Sequence, residues 1–471
     1  MKDLTKGSPI RLIITFALPL LLGNIFQQAY SLTDTIIIGQ QLGTNSLAAV
    51  GSTQSAVQLM FNIINGSVTG YAIIIANNFG AGDKEEMRRT IARSMTFSSI
   101  ITAILIAVVF CFSTQLLKAL DTPDSIFGEA KLYLCIVAAG LVVTLIYNLE
   151  ASILRAVGDS VIPLIILIIS TALNIGLDLL LVCVFHTGVA GAALATVAAQ
   201  LISAVVCFIY LVKRRPFLMV KPSDFKFTLR SSLKLLSSGF GMALMYSIID
   251  IGSIILQNGI NGFGEDIIAA HVAARKIFSV TIMPFSAISA TMITYCSQNM
   301  GAHKYSRIKR GVRDGMLINI SWATIAVAMV YFGGNFLVGL IVPKGNAAIV
   351  DTAVLYLRIA VLFYYCLAFL LGLRCALQGL GKSFVPIVAS IIEMLWKVAT
   401  VLWIVPLFGG KNGVPSGDIK EVGGYFGIMI SEPIIWTVCA VLIAIIAVIT
   451  LKRLPEDTAD NGNAALAKSD V

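Results

Sequence analysis

Residues 161–184 read VIPLIILIISTALNIGLDLLLVCV, a run whose one charged side chain is Asp178. About 20 apolar residues rising 1.5 Å each cross a hydrocarbon core of roughly 30 Å, so this stretch predicts a membrane-spanning helix. Its polar residues are placed in a pattern. Asn174 and Asp178 are spaced i and i+4, which puts both on one face of the helix. Similar runs recur along the chain, as at 318–342, without the strict alternation of a transmembrane β-strand. Composition agrees: 57% of the 471 residues are hydrophobic and 13% are charged, against about 25% charged in soluble domains. An ordinary soluble enzyme is excluded.

Twelve spans are expected, roughly at 10–33, 46–77, 90–117, 130–150, 161–185, 189–212, 235–260, 267–296, 314–343, 351–373, 384–408 and 425–451. Of the 34 Lys and Arg, 25 fall in the two tails and alternate loops, against 5 on the other side: Lys118, Lys131, Lys344, Lys411 and Lys420. By the positive-inside rule both termini are cytoplasmic. The net charge of +9 is thus a topology signal, and no nucleic-acid partner is expected. The eight cysteines lie in or beside apolar runs and form no C-x-x-C pair, so they read as packing residues. No cleaved signal peptide is expected.

The chain is written twice. Leu42-Gly43 matches Phe263-Gly264, and Asn78-Phe79-Gly80-Ala81 matches Asn299-Met300-Gly301-Ala302, both at an offset of 221. Tyr133-Leu134 matches Tyr356-Leu357, and Gly158-Asp159-Ser160 with Pro163 matches Gly381-Lys382-Ser383 with Pro386, at 223. An extra stretch at 409–424 moves the late offset to about 236. Each half holds six spans in the same orientation, a parallel repeat about an axis along the membrane normal, as some secondary transporters have. The expected organisation is a lobe at 1–212, a basic linker at 213–234 with Pro216 and Pro222, a second lobe at 235–453 and a disordered cytoplasmic tail at 454–471.

Charges inside spans mark function by default, because an ionised side chain at mid-bilayer costs about 2.5–3.5 kcal/mol on insertion scales. Counting residues from span ends brings Asp34, Asn174, Asp178 and Thr196, on three spans, to one level of the first lobe. Two carboxylates, an amide carbonyl and a hydroxyl are hard oxygen ligands, suited to sodium or to holding a proton, and two close acids in a low dielectric do not both ionise cheaply. No basic residue lies deep in a span of this lobe. The second lobe differs, carrying Asp250, Glu393 and Glu432 together with Arg275, Lys276, Lys397 and Arg358. Glu393 and Lys397 are spaced for a helical ion pair, and Asp250 and Glu432 are placed to meet Arg275 or Lys276. This cluster reads as structural pairing or substrate lining. Glu150, with Arg155 five residues on, reads as interfacial.

At these residues the chain resembles the multidrug and toxic compound extrusion (MATE) family, especially its bacterial branch similar to DNA-damage-inducible F proteins. The resemblance spans about residues 8–453. It rests on Pro19 with Asp34, the Gly80-Ala81-Gly82-Asp83 loop, Leu154-Arg155-Ala156-x-Gly158-Asp159-Ser160 and Asn174 with Asp178. The Gly379-x-Gly381-x-Ser383 loop, Glu393 with Lys397, and Glu432-Pro433 extend it through the second half.

The resemblance implies an all-α, V-shaped, two-lobe antiporter of the bacterial inner membrane. It would expel drugs and other xenobiotics, often cationic, in exchange for protons or sodium, with no resident cofactor; a monomer is expected. The family's first-lobe cation site falls on Asp34, Asn174, Asp178 and Thr196, and Pro19 is the expected hinge of span one. The second-lobe sodium site of some relatives is not expected, since span ten has no acid beyond Asp351 at its edge. A lipid-linked saccharide flippase of related fold is the alternative, with a channel and an intramembrane enzyme further off. Such flippases often have fourteen spans and a strongly basic cavity, neither of which is evident here, and no H-E-x-x-H or G-x-S-x-G motif is present.

Overall fold

The computed structural model describes residues 2–343, 345–410 and 412–457. Lys344 and Lys411, counted above on the less basic side, lie outside the described residues, as does 458–471 of the expected tail. The elements are α1 (Pro9–Gly80), α2 (Lys84–Ala119), α3 (Asp124–Ala156), α4 (Val161–Asp178), α5 (Val189–Arg214), α6 (Leu229–Ile260), α7 (Glu265–Gly301) and α8 (Tyr305–Gly339). After them come α9 (Ala347–Leu362), α10 (Tyr364–Gly379), α11 (Phe384–Ala399), the one-turn α12 (Val405–Leu407) and α13 (Gly424–Lys452). No strand occurs among the described residues.

Ten of these helical stretches are long and apolar enough to cross a membrane, and α9 with α10, bent by 55°, form an eleventh. The twelfth lies within α1. Its 72 residues would be about 108 Å long if straight, but Gly43 breaks them at φ 84°, ψ −177°. That region of backbone space is essentially restricted to glycine. Residues 9–42 and 44–80 are therefore two spans, and the chain is an all-α, multi-pass membrane protein with twelve spans in two halves of six.

The helices are inside-out relative to those of a soluble protein. α2 buries Ser94, Ser98 and Thr102 and exposes Ile100, Ile104, Val108 and Phe112. Lipid accepts the apolar face, so polar side chains collect where helices meet. Ser94 Oγ gives its hydrogen bond to the Thr90 carbonyl at 2.7 Å.

The chain divides into two compact units, Met1–Lys6 with Leu18–Tyr246, and Gly7–Ala17 with Ser247–Val471. The basic segment 213–234, expected as a linker, packs within the first unit. Arg88 Nε pairs with Asp224 Oδ2 at 3.2 Å, Arg93 Nε donates to the Lys226 carbonyl at 3.1 Å, and Phe97 meets Phe227 edge-on. The division comes later, inside α6. A second crossing lies between Ala17 and Leu18, beside Pro19 in α1.

The repeated loops show how one backbone is built from different residues. Gly82 takes φ 73°, then Asp83 caps α2 by accepting from the Glu86 amide at 2.9 Å. In the second copy His303 takes φ 55° and Lys304 stands where Asp83 did. The cap for α8 comes instead from Asp457, whose carboxylate accepts from the Tyr305 amide at 2.7 Å and the Ser306 amide at 3.2 Å. The start of the expected disordered tail is thus engaged as far as Asp457, because the free amides of a helix start and its dipole favour a carboxylate.

Candidate cation site in the first unit

α4 ends at Asp178 and continues as a π-helical segment, Leu179–Val184. The wider turn shifts the side chains that follow relative to Asn174 and Asp178, and π segments of this kind concentrate at functional sites. Asn174 and Asp178 are both fully buried. From α5, Thr196 lies beside them: Asn174 Nδ2 donates to Thr196 Oγ1 at 3.5 Å. From α1, the Tyr30 hydroxyl is 3.0 Å from the same Thr196 oxygen. One turn after Tyr30, half-buried Asp34 is near enough to Asp178 for their charges to interact. Tyr133 of α3 lies within the field of both acids.

The hydrogen bonds leave a specific remainder. Asp34 Oδ1, Asn174 Oδ1 and both carboxylate oxygens of Asp178 are buried with no hydrogen-bond partner among the described residues. Orphaned buried oxygens are costly. Oxygen atoms from two carboxylates and an amide match what a hard cation or a proton needs. The ion pairs of this unit lie elsewhere, among them Arg88–Asp224, Arg89–Glu85, Arg93–Glu86 and Arg215–Asp159. Among the described residues, none reaches Asp34 or Asp178. No group of three His, Cys, Asp or Glu that could hold a metal occurs among the described residues.

A cavity of about 150 Å³ adjoins the set, with Tyr30, Asn174 and Thr196 in its wall. The rest of its polar lining is uncharged and includes Gln27, Asn65 and Gln200. Thr144 donates to Gln200 Oε1, and Asn148 Nδ2 donates to the Thr144 carbonyl at 2.9 Å.

The four residues expected from sequence are therefore clustered, and two partners were missed. Tyr30 carried a usable signal, standing four residues before Asp34 on the same helical face. Tyr133 carried none locally, since only the packing of α3 brings it to α1 and α4.

The charges of the second unit are arranged differently. Arg275 Nη1 pairs with Glu432 Oε2 at 2.9 Å, and the Tyr356 hydroxyl donates to the same oxygen at 3.1 Å. Arg275 also lies 4.6 Å over the Phe278 ring, and His271 Nδ1 is 3.0 Å from the Tyr425 hydroxyl. Lys276 is exposed and outside this network, while Asp250 sits half-buried on α6. The helical pair expected between Glu393 and Lys397 does not form. Glu393 Oε1 takes Arg374 Nη2 at 2.5 Å, and Lys397 Nζ donates to Ser253 Oγ at 3.2 Å. Arg374, read from sequence as a loop residue, is buried in α10. A buried guanidinium has no alternative to a carboxylate partner, so it displaces the weaker i,i+4 contact.

A family model described as MatE matches residues 19–180 and again residues 241–403. The chain is 26% identical over 339 residues to a probable multidrug resistance protein, YoeA, of Bacillus subtilis strain 168, covering 69% of this chain and 72% of that one. It is 21% identical over 458 residues to the multidrug export protein MepA of Staphylococcus saprophyticus, covering 97% of each. Two solved structures share the fold at a TM-score of 0.86. One is a crystal structure of MATE in complex with MaL6, 22% identical, with 96% of this chain and 98% of that one covered. The other is an outward-facing multidrug resistance MATE family transporter of the MOP superfamily, 21% identical, with 97% and 98% covered.

Proposed function

The chain belongs to the MatE family, and from that premise we propose that it is a multidrug exporter driven by inward flow of protons or sodium through Asp34, Asn174, Asp178 and Thr196. One observation carries the coupling site: among the described residues, four buried oxygen atoms from α1 and α4 lack a hydrogen-bond partner, and no ion pair neutralises the two acids. A proton or a sodium ion is the charge that this set is short of.

The excess of Lys and Arg in the tails and alternate loops supports a reading with both termini cytoplasmic. With the site open outward, Asp34 and Asp178 take up the cation. Neutralising them draws α1 toward α4 and α5. α1 can yield at Pro19, which lacks the amide that would bond to residue 15. Drug affinity then falls and the drug leaves outward. In the inward-open state the cation leaves to the cytoplasm and a new drug enters. One charge moving down 100 mV supplies about 2.3 kcal/mol, enough for roughly 50-fold accumulation of a neutral drug. No covalent step is involved.

The test is efflux of an ethidium-like dye from vesicles, under an imposed pH gradient and separately under an imposed sodium gradient. One gradient should drive efflux in the wild type, and neither should in folded Asp34→Asn. Efflux by Asp34→Asn at the wild-type rate overturns the coupling site, and wild-type efflux under neither gradient overturns cation exchange itself.

A further inference from the structure

A second cavity in the first unit, about 240 Å³, lies between α2, α3 and α5, beneath the segment 218–225. Its lining is apolar apart from Ser99 and Glu150. Several lining side chains, among them Met95, Ile146, Phe208 and Phe225, are 42–50% exposed, so the cavity opens sideways from the helix bundle. It lies near the basic-loop end, since Glu150 stands six residues before the end of α3 and Phe225 belongs to the basic segment.

Glu150 is the unusual member. It is 7% exposed, and its Oε2 has no hydrogen-bond partner among the described residues. The Cys207 thiol lies at its side. Arg155, expected to lie with it at an interface, turns elsewhere: five helical residues separate the two by about 140°, and Arg155 Nη2 donates to Ser152 Oγ at 2.8 Å. Among the described residues no ion pair reaches Glu150, and near this end Arg88 pairs with Asp224, Arg93 with Glu86 and Arg215 with Asp159. A lone acid at the wall of an open apolar cavity selects for one positive charge attached to an apolar body.

We propose that this cavity is a binding site for lipophilic amines, in which a protonated amine pairs with Glu150 Oε2 and its hydrocarbon body lies among Met95, Ile146, Phe208 and Phe225. The volume is below that of drug-sized sites, which start at roughly 300 Å³, so the far end of the ligand extends through the opening toward the lipid. The site uses neither Asp34 nor Asp178. It would admit an amphiphile from the leaflet on the basic-loop side, and its occupation at equilibrium requires no gradient.

The full chain in phosphatidylcholine nanodiscs, exposed to a dodecylamine bearing a diazirine and separately to the matching dodecanol, provides the test. Sites of photolabelling are read by peptide mass spectrometry. The amine should label the four body-contacting residues about tenfold more than the alcohol does, the scale of a charge-assisted hydrogen bond. Glu150→Gln should bring amine labelling down to the level of the alcohol. Met95→Trp, which fills the cavity and keeps the acid, should lower labelling by both probes. Asp34→Asn should leave labelling unchanged, separating failure of this site from failure of cation coupling. Equal labelling by amine and alcohol in the wild type overturns the proposal and marks a groove for lipid chains. Undiminished amine labelling in folded Glu150→Gln also overturns it; should that variant not fold, undiminished labelling in Met95→Trp does so.

Discussion

The two halves of this chain share a backbone plan and differ in how they treat charge. Both carry a π-helical segment late in their fifth span, Leu179–Val184 in the first half and Thr400–Ile404 in the second. The repeat offset of 223 sets Tyr133 against Tyr356, Asn174 against Lys397 and Asp178 against Val401. An offset of 235–236 sets Thr196 against Ser431 and Glu432. In the second half, acids and bases neutralise each other: Glu432 with Arg275, and Glu393 with Arg374. In the first half, Asp34 and Asp178 form no ion pair among the described residues, and Asp34 Oδ1 and both Asp178 carboxylate oxygens have no hydrogen-bond partner there. Acids matched by fixed cations hold helices together. Acids without one are available to a mobile cation. The comparison shows that a duplicated frame leaves each copy free to specialise, because a handful of side chains decides the chemistry.

The sharpest way to break this contrast is to give the first half the charge of the second. Asn174→Lys places an ammonium where the repeat puts Lys397. Dye export driven by the cation gradient should fall to the passive level while the protein still elutes as a folded species. Retained export would mean that the unpaired acids are not the coupling site.

Removing one partner from the second half should be felt in stability instead. Glu393→Gln leaves Arg374 buried without a counter-charge, and breaking such a pair costs about 3 kcal/mol, visible as a lower Tm in detergent. Arg374→Met with Glu393→Leu should recover most of that loss, since an apolar pair needs no compensation. A double variant as unstable as the single one would show that the ion pair does more than neutralise charge.

Gly158 and Gly381 occupy the same repeat position, with φ of 86° and 76°. Alanine at either should cost about 1–2 kcal/mol for the left-handed backbone. Gly158→Ala should cost more than Gly381→Ala, because its Cβ would sit 1.9 Å from the Lys2 carbonyl oxygen, whereas nothing lies within 4 Å of Gly381. Equal melting temperatures would argue that the N-terminal strap against α3 contributes nothing. The smallest effect belongs to Tyr30→Phe. Loss of the hydrogen bond to Thr196 should cost about 1 kcal/mol and reduce export only a few-fold in the same dye assay.

Much of this architecture was legible beforehand, for identifiable reasons. Span number followed from apolar length, which already separated 10–33 from 46–77, the two spans fused in α1; that Gly43 makes the break came from its backbone. Asn174 and Asp178 were placed together by helical periodicity, and Asp34 and Thr196 by depth, since a membrane fixes how far each residue lies along its span. Depth carries no information about rotation about the helix axis. That is why Glu393 was assigned to Lys397, its neighbour along one helix, when α10 turns Arg374 toward it. The same limit hid Tyr133, and it hid that Arg155 bonds Ser152 while Glu150 faces the cavity.

The sequence by itself determined that the chain crosses a membrane twelve times, that it is a repeat, and which half holds acids without bases. Those conclusions depend on quantities that add along the chain: apolar length, offset and charge count. Only the tertiary structure decided which oxygens remain without partners, which bases Glu393 and Glu432 take, and that the basic segment after α5 closes over an apolar cavity walled by Glu150. Such outcomes depend on angle and distance between helices far apart in sequence, where a rotation of one residue exchanges a buried partner for lipid.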